Sequence, residues 1–400
     1  MKVRLIHWLL IVVVGNLLAF YSAASEIDID NTLELYPERI SHMLENPNAI
    51  ELRNASIVEK QLLSTHINLI KRNVQKATHS LHGLDISSWQ SHERAYYYYL
   101  TALSHTRQGR SVLAIESLQH LKGVQWPSLI EQPDFRYLLL YTRAYLAANE
   151  FDLVTNTLLQ MQTLLARSSD QLANCQLAIL EAEIAIKRER INDIKLHRQT
   201  LKERCNVPTD SLVNADLNLL LAQLDFKVEM IGAVTEELLQ QARDIYVAQD
   251  VNSRVIDVLI LSGFFFAENN DVIKSIAIKN SLTQLVGEDT PPKQLFKYYE
   301  FLVKFYTLIG DETATYNVLR QLGELNSNIQ KENRTKNANF LSFRVTAQRT
   351  EMFDSIKLQK ETLANNDRDY NRYLTGIVMS LVSLFLLVTV LLMLRKRRIQ

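Results

Sequence analysis

The chain has 400 residues, with 44 lysines and arginines against 44 aspartates and glutamates, and its formal charge is zero. That balance excludes a global field able to recruit nucleic acid or an anionic surface. Only 10 glycines and 7 prolines occur, too few for the turns of a sheet-rich body, so an all-α body is expected.

Residues 1–24 have the layout of a secretory signal peptide. Lys2 and Arg4 precede an apolar run from Trp8 to Phe20, and the small residues Ser22 and Ala24 follow. Cleavage is expected after Ala24, with an uncleaved anchor as the alternative. Residues 25–89 are expected to form a helical cap. In it, SIVEKQLLSTHINLIKRNVQKATHSLHGL reads as one long helix ending at Gly83.

Over residues 90–330 paired amphipathic segments recur on a ruler close to 40 residues long. Tight connections are expected at Gln108-Gly109, Asn149-Glu150, Glu189-Arg190, Met230-Ile231-Gly232, Asn269-Asn270 and Gly310-Asp311. Loops with Pro127, Pro133, Pro208, Pro291 and Pro292 separate one pair from the next, because proline lacks the amide proton a helix interior needs. A helical hairpin cannot bury its apolar face alone, so about six pairs should stack. In ERAYYYYLTALSHTRQGRSVLAIESLQHL, Tyr98, Ala102, Gly109, Ala114 and Leu118 fall on the spacing of the tetratricopeptide repeat, which the segment resembles. Tyr145, Phe266 and Tyr306 repeat the aromatic-to-turn interval, while Val154 and Thr315 replace the small residue of the second helix. The resemblance implies a curved α-solenoid that binds a protein or peptide.

Successive helical positions lie 100° apart, so Tyr96 to Tyr99 cannot form one stacking platform. One or two belong to the core; Tyr96, Tyr97 and Tyr99 are the candidates for a partner groove. Cys175 and Cys205 lie about equally far from the turn near Arg190, on helices expected to be antiparallel. In an exported chain that arrangement predicts a disulfide, with two buried thiols as the alternative.

None of G-x-S-x-G, H-E-x-x-H, the P-loop or G-x-G-x-x-G is present. His79, His82 and His92 have nothing to fix a zinc geometry, and a solvated role suits them better. The reading is therefore of a non-enzyme with no cofactor, no metal and no nucleic-acid partner.

From Lys336 the chain runs without glycine or proline towards the membrane. Residues 336–372 read as a stalk helix with a heptad seam through Met352, Ile356, Leu363, Asn366 and Tyr370. A parallel homodimer through that seam competes with a single helix lying against the last repeat. Residues 374–394 are uncharged and at 1.5 Å per residue cover roughly 30 Å, a bilayer's hydrocarbon thickness. Arg395, Lys396, Arg397 and Arg398 place the 395–400 tail in the cytoplasm and the body outside the lipid bilayer.

The order of signal peptide, helical repeats, charged helix, FDSIKLQKETLANN junction, span and R-K-R-R cluster resembles the sensory halves of bacterial diguanylate cyclases and some histidine kinases. No GGDEF motif occurs, so cyclase activity does not carry over. The leading expectation is an inner-membrane-anchored periplasmic scaffold or sensor input that binds a protein or peptide. A sensory half working with a separate output domain, and an envelope-assembly factor, are the alternatives.

Overall fold

The computed structural model describes residues 29–349, apart from 47, 48, 50, 51, 53, 54, 122, 127–131, 167 and 288, together with 361, 362 and 380. The signal peptide, the seam residues Met352 to Tyr370, the 374–394 span and Arg395 to Arg398 lie outside the described residues. Among the described residues no helix is long and apolar enough to cross a membrane. The chain divides into two compact units, Met1–Asn337 and Ala338–Gln400.

Every regular element among the described residues of the first unit is helical. Two short helices come first, α1 (Ile29–Leu35) and α2 (Pro37–Glu45). Then α3 (Ile57–Ile70) and α4 (Val74–Leu81) form a hairpin. The single long helix expected over 56–83 is therefore broken. Arg72 takes φ 62°, and the Asn73 amide donates to Asn68 O at 2.7 Å, a reversal carried by an arginine that no glycine or proline announces.

Six further hairpins follow. They pair α5 (Ser91–Arg107) with α6 (Ser111–Gln119), α7 (Pro133–Ala147) with α8 (Phe151–Leu165), and α9 (Gln171–Lys187) with α10 (Ile191–Arg204). They continue with α11 (Leu212–Lys227) and α12 (Ala233–Ala248), then α13 (Asn252–Glu268) and α14 (Val272–Leu285). Last, α15 (Pro292–Leu308) pairs with α16, a helix over 312–349 that begins inside the first unit.

Every expected turn forms, and each reverses by the same device. Gly109, Asn149, Glu189, Glu229, Asn270 and Gly310 all have φ between 54° and 73°. At Gly109 the Arg110 amide donates to His105 O and the Gly109 amide to Thr106 O, the paired bonds of a Schellman ending. The same pair recurs at Asn149, Glu229, Asn270 and Gly310. Caps begin the helices: Ser56 Oγ accepts from the Glu59 amide, and Asp170, Ser211, Asp271 and Asp311 do the same for α9, α11, α14 and α16.

The constant period places like residues on like contacts. Seven residues before the turns stand Ala102, Thr142, Ala182 and Ala222, all fully buried, and then Gly263. Close helix packing needs a small side chain there. At Gly263 the demand is strictest, since a Cβ would sit 2.5 Å from Phe301 Cε2. Gly263→Ala is therefore expected to lose a net 1–3 kcal/mol by overpacking, even though alanine favours a helix by about 1 kcal/mol. Chemical denaturation measures the loss, and Phe301→Leu should recover part of it if the clash is its cause.

The expected stalk start at 336 falls beside the division between the two units, at Asn337 and Ala338. No proline interrupts 312–349, and Gly323 sits in open space, so the second helix of the last hairpin runs on without a break. Lys336 on that helix donates from Nζ to Gln108 O at 3.4 Å, so the last and first of these hairpins meet within the first unit.

Residues 29–45 do not extend the stack at its end. α1 rests against α11, and Tyr36 Oη donates to Asp210 Oδ1 at 2.8 Å. Leu33 and Ile40 are buried in one core cluster with Leu212, Leu219, Tyr246 and Val255.

Candidate functional site

Along the array, the first helix of each hairpin faces inward, and the 40-residue period stacks its side chains into ladders. Thirteen residues before each turn stand Tyr96, Arg136, Gln176, Asp216 and Asp257. Arg136 Nη1 donates to its ladder neighbour Gln176 Oε1 at 3.2 Å. Of these, Arg136, Gln176 and Asp216 line a cavity of about 110 Å³.

Its wall comes from α1, α3, α5, α7, α9, α11, α12 and α13, with the turns at Arg72 and Val251. Five arginines line it, Arg72, Arg107, Arg136, Arg143 and Arg254, against three acids, Glu34, Glu183 and Asp216. Asp30 and Asp257, which meet Arg136 and Arg254, bring the acids to five, so the local charge balances while its pairing is uneven.

Two of the arginines are satisfied. Arg136 meets Asp30 Oδ2 at 3.2 Å and Glu34 Oε1 at 3.0 Å. Burial works against its charge, but Glu34 and then Asp30 outweigh burial and hold the guanidinium above its ordinary range. Burial alone would raise Glu34; chiefly Arg136 brings it below the usual carboxylate value. Arg254 meets Asp216 Oδ1 at 3.0 Å and Asp257 Oδ2 at 3.3 Å. Asp216 also accepts from Tyr246 Oη at 2.5 Å.

The other three have no ion pair and no side-chain hydrogen bond among the described residues. Arg107 Nε is enclosed without a partner. Burial lowers Arg107 well below the ordinary arginine value, with Arg72, Arg143 and Arg254 adding repulsion. Arg72 is pushed down to about 10 by burial and then by Arg254. These side chains are only half-buried by surface because part of each faces the cavity.

The tyrosine run is split as helical geometry requires. Tyr96 is 1% exposed, packed in the core with its Oη 3.1 Å from His66 Nδ1, so it is closed off from any groove. Tyr99 is buried but forms part of the cavity wall. Tyr97 is half-buried beside Trp89, and Tyr98 stacks on His120 at 4.5 Å. The sequence reading passed over the arginines. They are scattered over α5, α7, α13 and the turn at Arg72, and only aligning the repeats at their turns shows Arg136 and Asp216 in one register. Among the described residues no group of three His, Cys, Asp or Glu is placed to hold a metal ion.

His66 lies behind the cavity with Nε2 enclosed and unpartnered. Burial lowers its pKa from 6.5 to about 4, Glu34 opposing and Arg136 and Arg107 assisting. Between those values the unfolded chain binds a proton that the folded chain refuses, so stability falls as pH drops through this window. The loss should reach on the order of 3 kcal/mol and level off below about pH 4. Glu34 and Asp216, both depressed, add further loss at lower pH as they protonate. Urea titrations from pH 7 to 4.5 measure the slope, which should flatten in His66→Gln.

No family model matches the chain, and no curated protein matches it in sequence. Among solved structures it is similar to a Rap protein complexed with competence and sporulation factor, at 9% identity and a TM-score of 0.46, covering 77% of this chain and 87% of that one. It is similar also to BtubC (BKLC) from P. vanneervenii, at 17% identity and a TM-score of 0.34, covering 69% of this chain and 93% of that one. Similarity at this level bears on neither ligand nor activity.

Proposed function

We propose that the chain is an exported, membrane-tethered helical-repeat scaffold that binds a protein or peptide segment on the inner side of its hairpin array. One observation carries the reading. The inner side already holds a short helix of the same chain, α1, through Leu33 in the core and through Asp30 and Glu34 on Arg136. A surface that seats one acidic amphipathic helix has the chemistry to seat another.

The tether and the address rest on the sequence, on the uncharged 374–394 segment followed by Arg395 to Arg398 and on the signal-like start. The Cys175–Cys205 disulfide suits an oxidising compartment such as the bacterial periplasm. Signal transfer would then pass through a partner in or at the inner membrane, and the role is one of binding rather than catalysis.

The test places a photo-crosslinking residue at Tyr97 or Gln223 on the inner side, or at the exposed Leu196 on a second helix, in the membrane-bound protein. One identified protein or peptide should be captured from the inner positions and not from Leu196. Equal capture at all three positions, or none, would overturn the binding reading. A body protected from protease added to intact spheroplasts would overturn the topology.

A further inference from the structure

The satisfied and the unsatisfied arginines of the cavity differ in one respect. Arg136 and Arg254 are each met by two carboxylates of this chain, whereas Arg72, Arg107 and Arg143 are met by none. Buried charges are ordinarily paired, because an unpaired one loses its hydration with nothing in return. A structural role does not explain these three. They form no contact ion pair and act on Asp216 and Glu34 only through their fields, they repel one another, and apolar residues of similar volume would fill the same wall at lower free energy. What such a cluster does well is hold oxygen-borne negative charge, since each guanidinium presents a planar fork of donors matched to carboxylate or phosphate.

We infer that the inner cavity is a binding site for a compact oxyanion carrying two negative charges, a phosphate group or a short dicarboxylate, held by Arg107, Arg143 and Arg72. Size agrees. About 110 Å³ gives room for roughly eight waters, enough for such an anion and too little for a peptide segment. Selectivity against a monovalent ion such as chloride follows from geometry, because a spherical ion cannot engage several forks in two-point contact. The chain also supplies its own example of the chemistry in Asp30 and Glu34 on Arg136, which lines the same cavity. The site goes beyond the partner reading and stands or falls separately from it.

The full-length protein in detergent micelles should be titrated with sodium phosphate and, separately, with sodium succinate, against sodium chloride at matched ionic strength. Calorimetry and the thermal midpoint are the readouts. Saturable binding with a rising midpoint is expected for at least one of the two anions. Response to phosphate alone identifies a phosphate group, and response to succinate alone a dicarboxylate. Equal response to both identifies recognition of charge without shape, within the same site.

Arg107→Met and Arg143→Met should each weaken binding at least tenfold while the ligand-free midpoint stays level or rises, because a like charge has been removed. Arg143→Lys should recover part of the affinity. No saturation by either anion beyond the chloride control would overturn the site, and so would unchanged affinity in both methionine variants. A ligand-free midpoint that drops in both variants would assign the arginines a structural role instead. Crosslinking of a partner at Tyr97 or Gln223 would be untouched by any of these failures.

Discussion

Replacing Arg136 by methionine should destabilise the first unit by about 3–5 kcal/mol, the penalty for stripping one partner from a buried ion pair. Arg136 is 6% exposed at its side chain, Asp30 3% and Glu34 19%. Methionine fills a similar volume, so the loss is electrostatic rather than a cavity effect. Two carboxylates are left facing each other and Gln176 with their main counter-charge removed. The pH dependence gives the signature. In the parent protein Glu34 is held below its usual value and favours folding at neutral pH. In the variant burial outweighs the weaker fields of His66, Arg143 and Arg107 and raises it, so the folded state takes up a proton more readily than the unfolded one. The variant's deficit should therefore shrink as pH falls from 7 towards 5. Adding Asp30→Asn and Glu34→Gln to the same chain should return most of the loss. Urea denaturation of the three proteins measures this, and a deficit under about 1 kcal/mol, or no recovery in the triple variant, would refute it.

Loss of the Cys175–Cys205 bond should destabilise by about 3–4 kcal/mol, the chain-entropy value for a closed loop of this length. The two residues are 30 apart in sequence with Cα atoms 4.6 Å apart, closing the open end of the α9–α10 hairpin. The local reason for the bond is the weakness of α10. Of its 14 residues only Ile194 and Leu201 are buried, far fewer than the twelve that α9 buries. The Arg198–Asp225 contact adds a polar tie to α11. A helix so poorly supplied with apolar surface depends on its covalent link to stay docked. Cys175→Ala with Cys205→Ala, or reduction of the parent protein, should lower the denaturation midpoint. Amide exchange should quicken first in α10, before the buried α9. A change under about 1 kcal/mol, or exchange that quickens uniformly, would show that packing alone holds the hairpin.

The repeat and its turns were legible because they are local. A hairpin reverses where a few residues accept a left-handed backbone, and Gly109, Asn149, Asn270 and Gly310 advertise it in their composition. Glu189, Glu229 and Asp250 do the same with no such preference. They were found by the period, or in the case of Asp250 not found, because packing on both sides imposes the turn there. Arg72 was missed for the same reason, and the supposed long helix of residues 56–83 with it. The cysteine pair was legible because antiparallel geometry fixes distance from the turn.

Period, composition and the two cysteines by themselves determined a stack of some six helical hairpins, its turn positions, and which bond would fasten the third of them. Those features depend on contacts within one hairpin or with its neighbour, and forces of that range are written in nearby residues. Only the tertiary structure decided that residues 29–45 lie on the inner side, that Asp30 and Glu34 meet Arg136 more than a hundred positions later, and that three other arginines face one cavity without an ion pair. Charges pair by distance in space, and the curl that brings eight helices round one cavity accumulates from small rotations between hairpins that no single segment encodes.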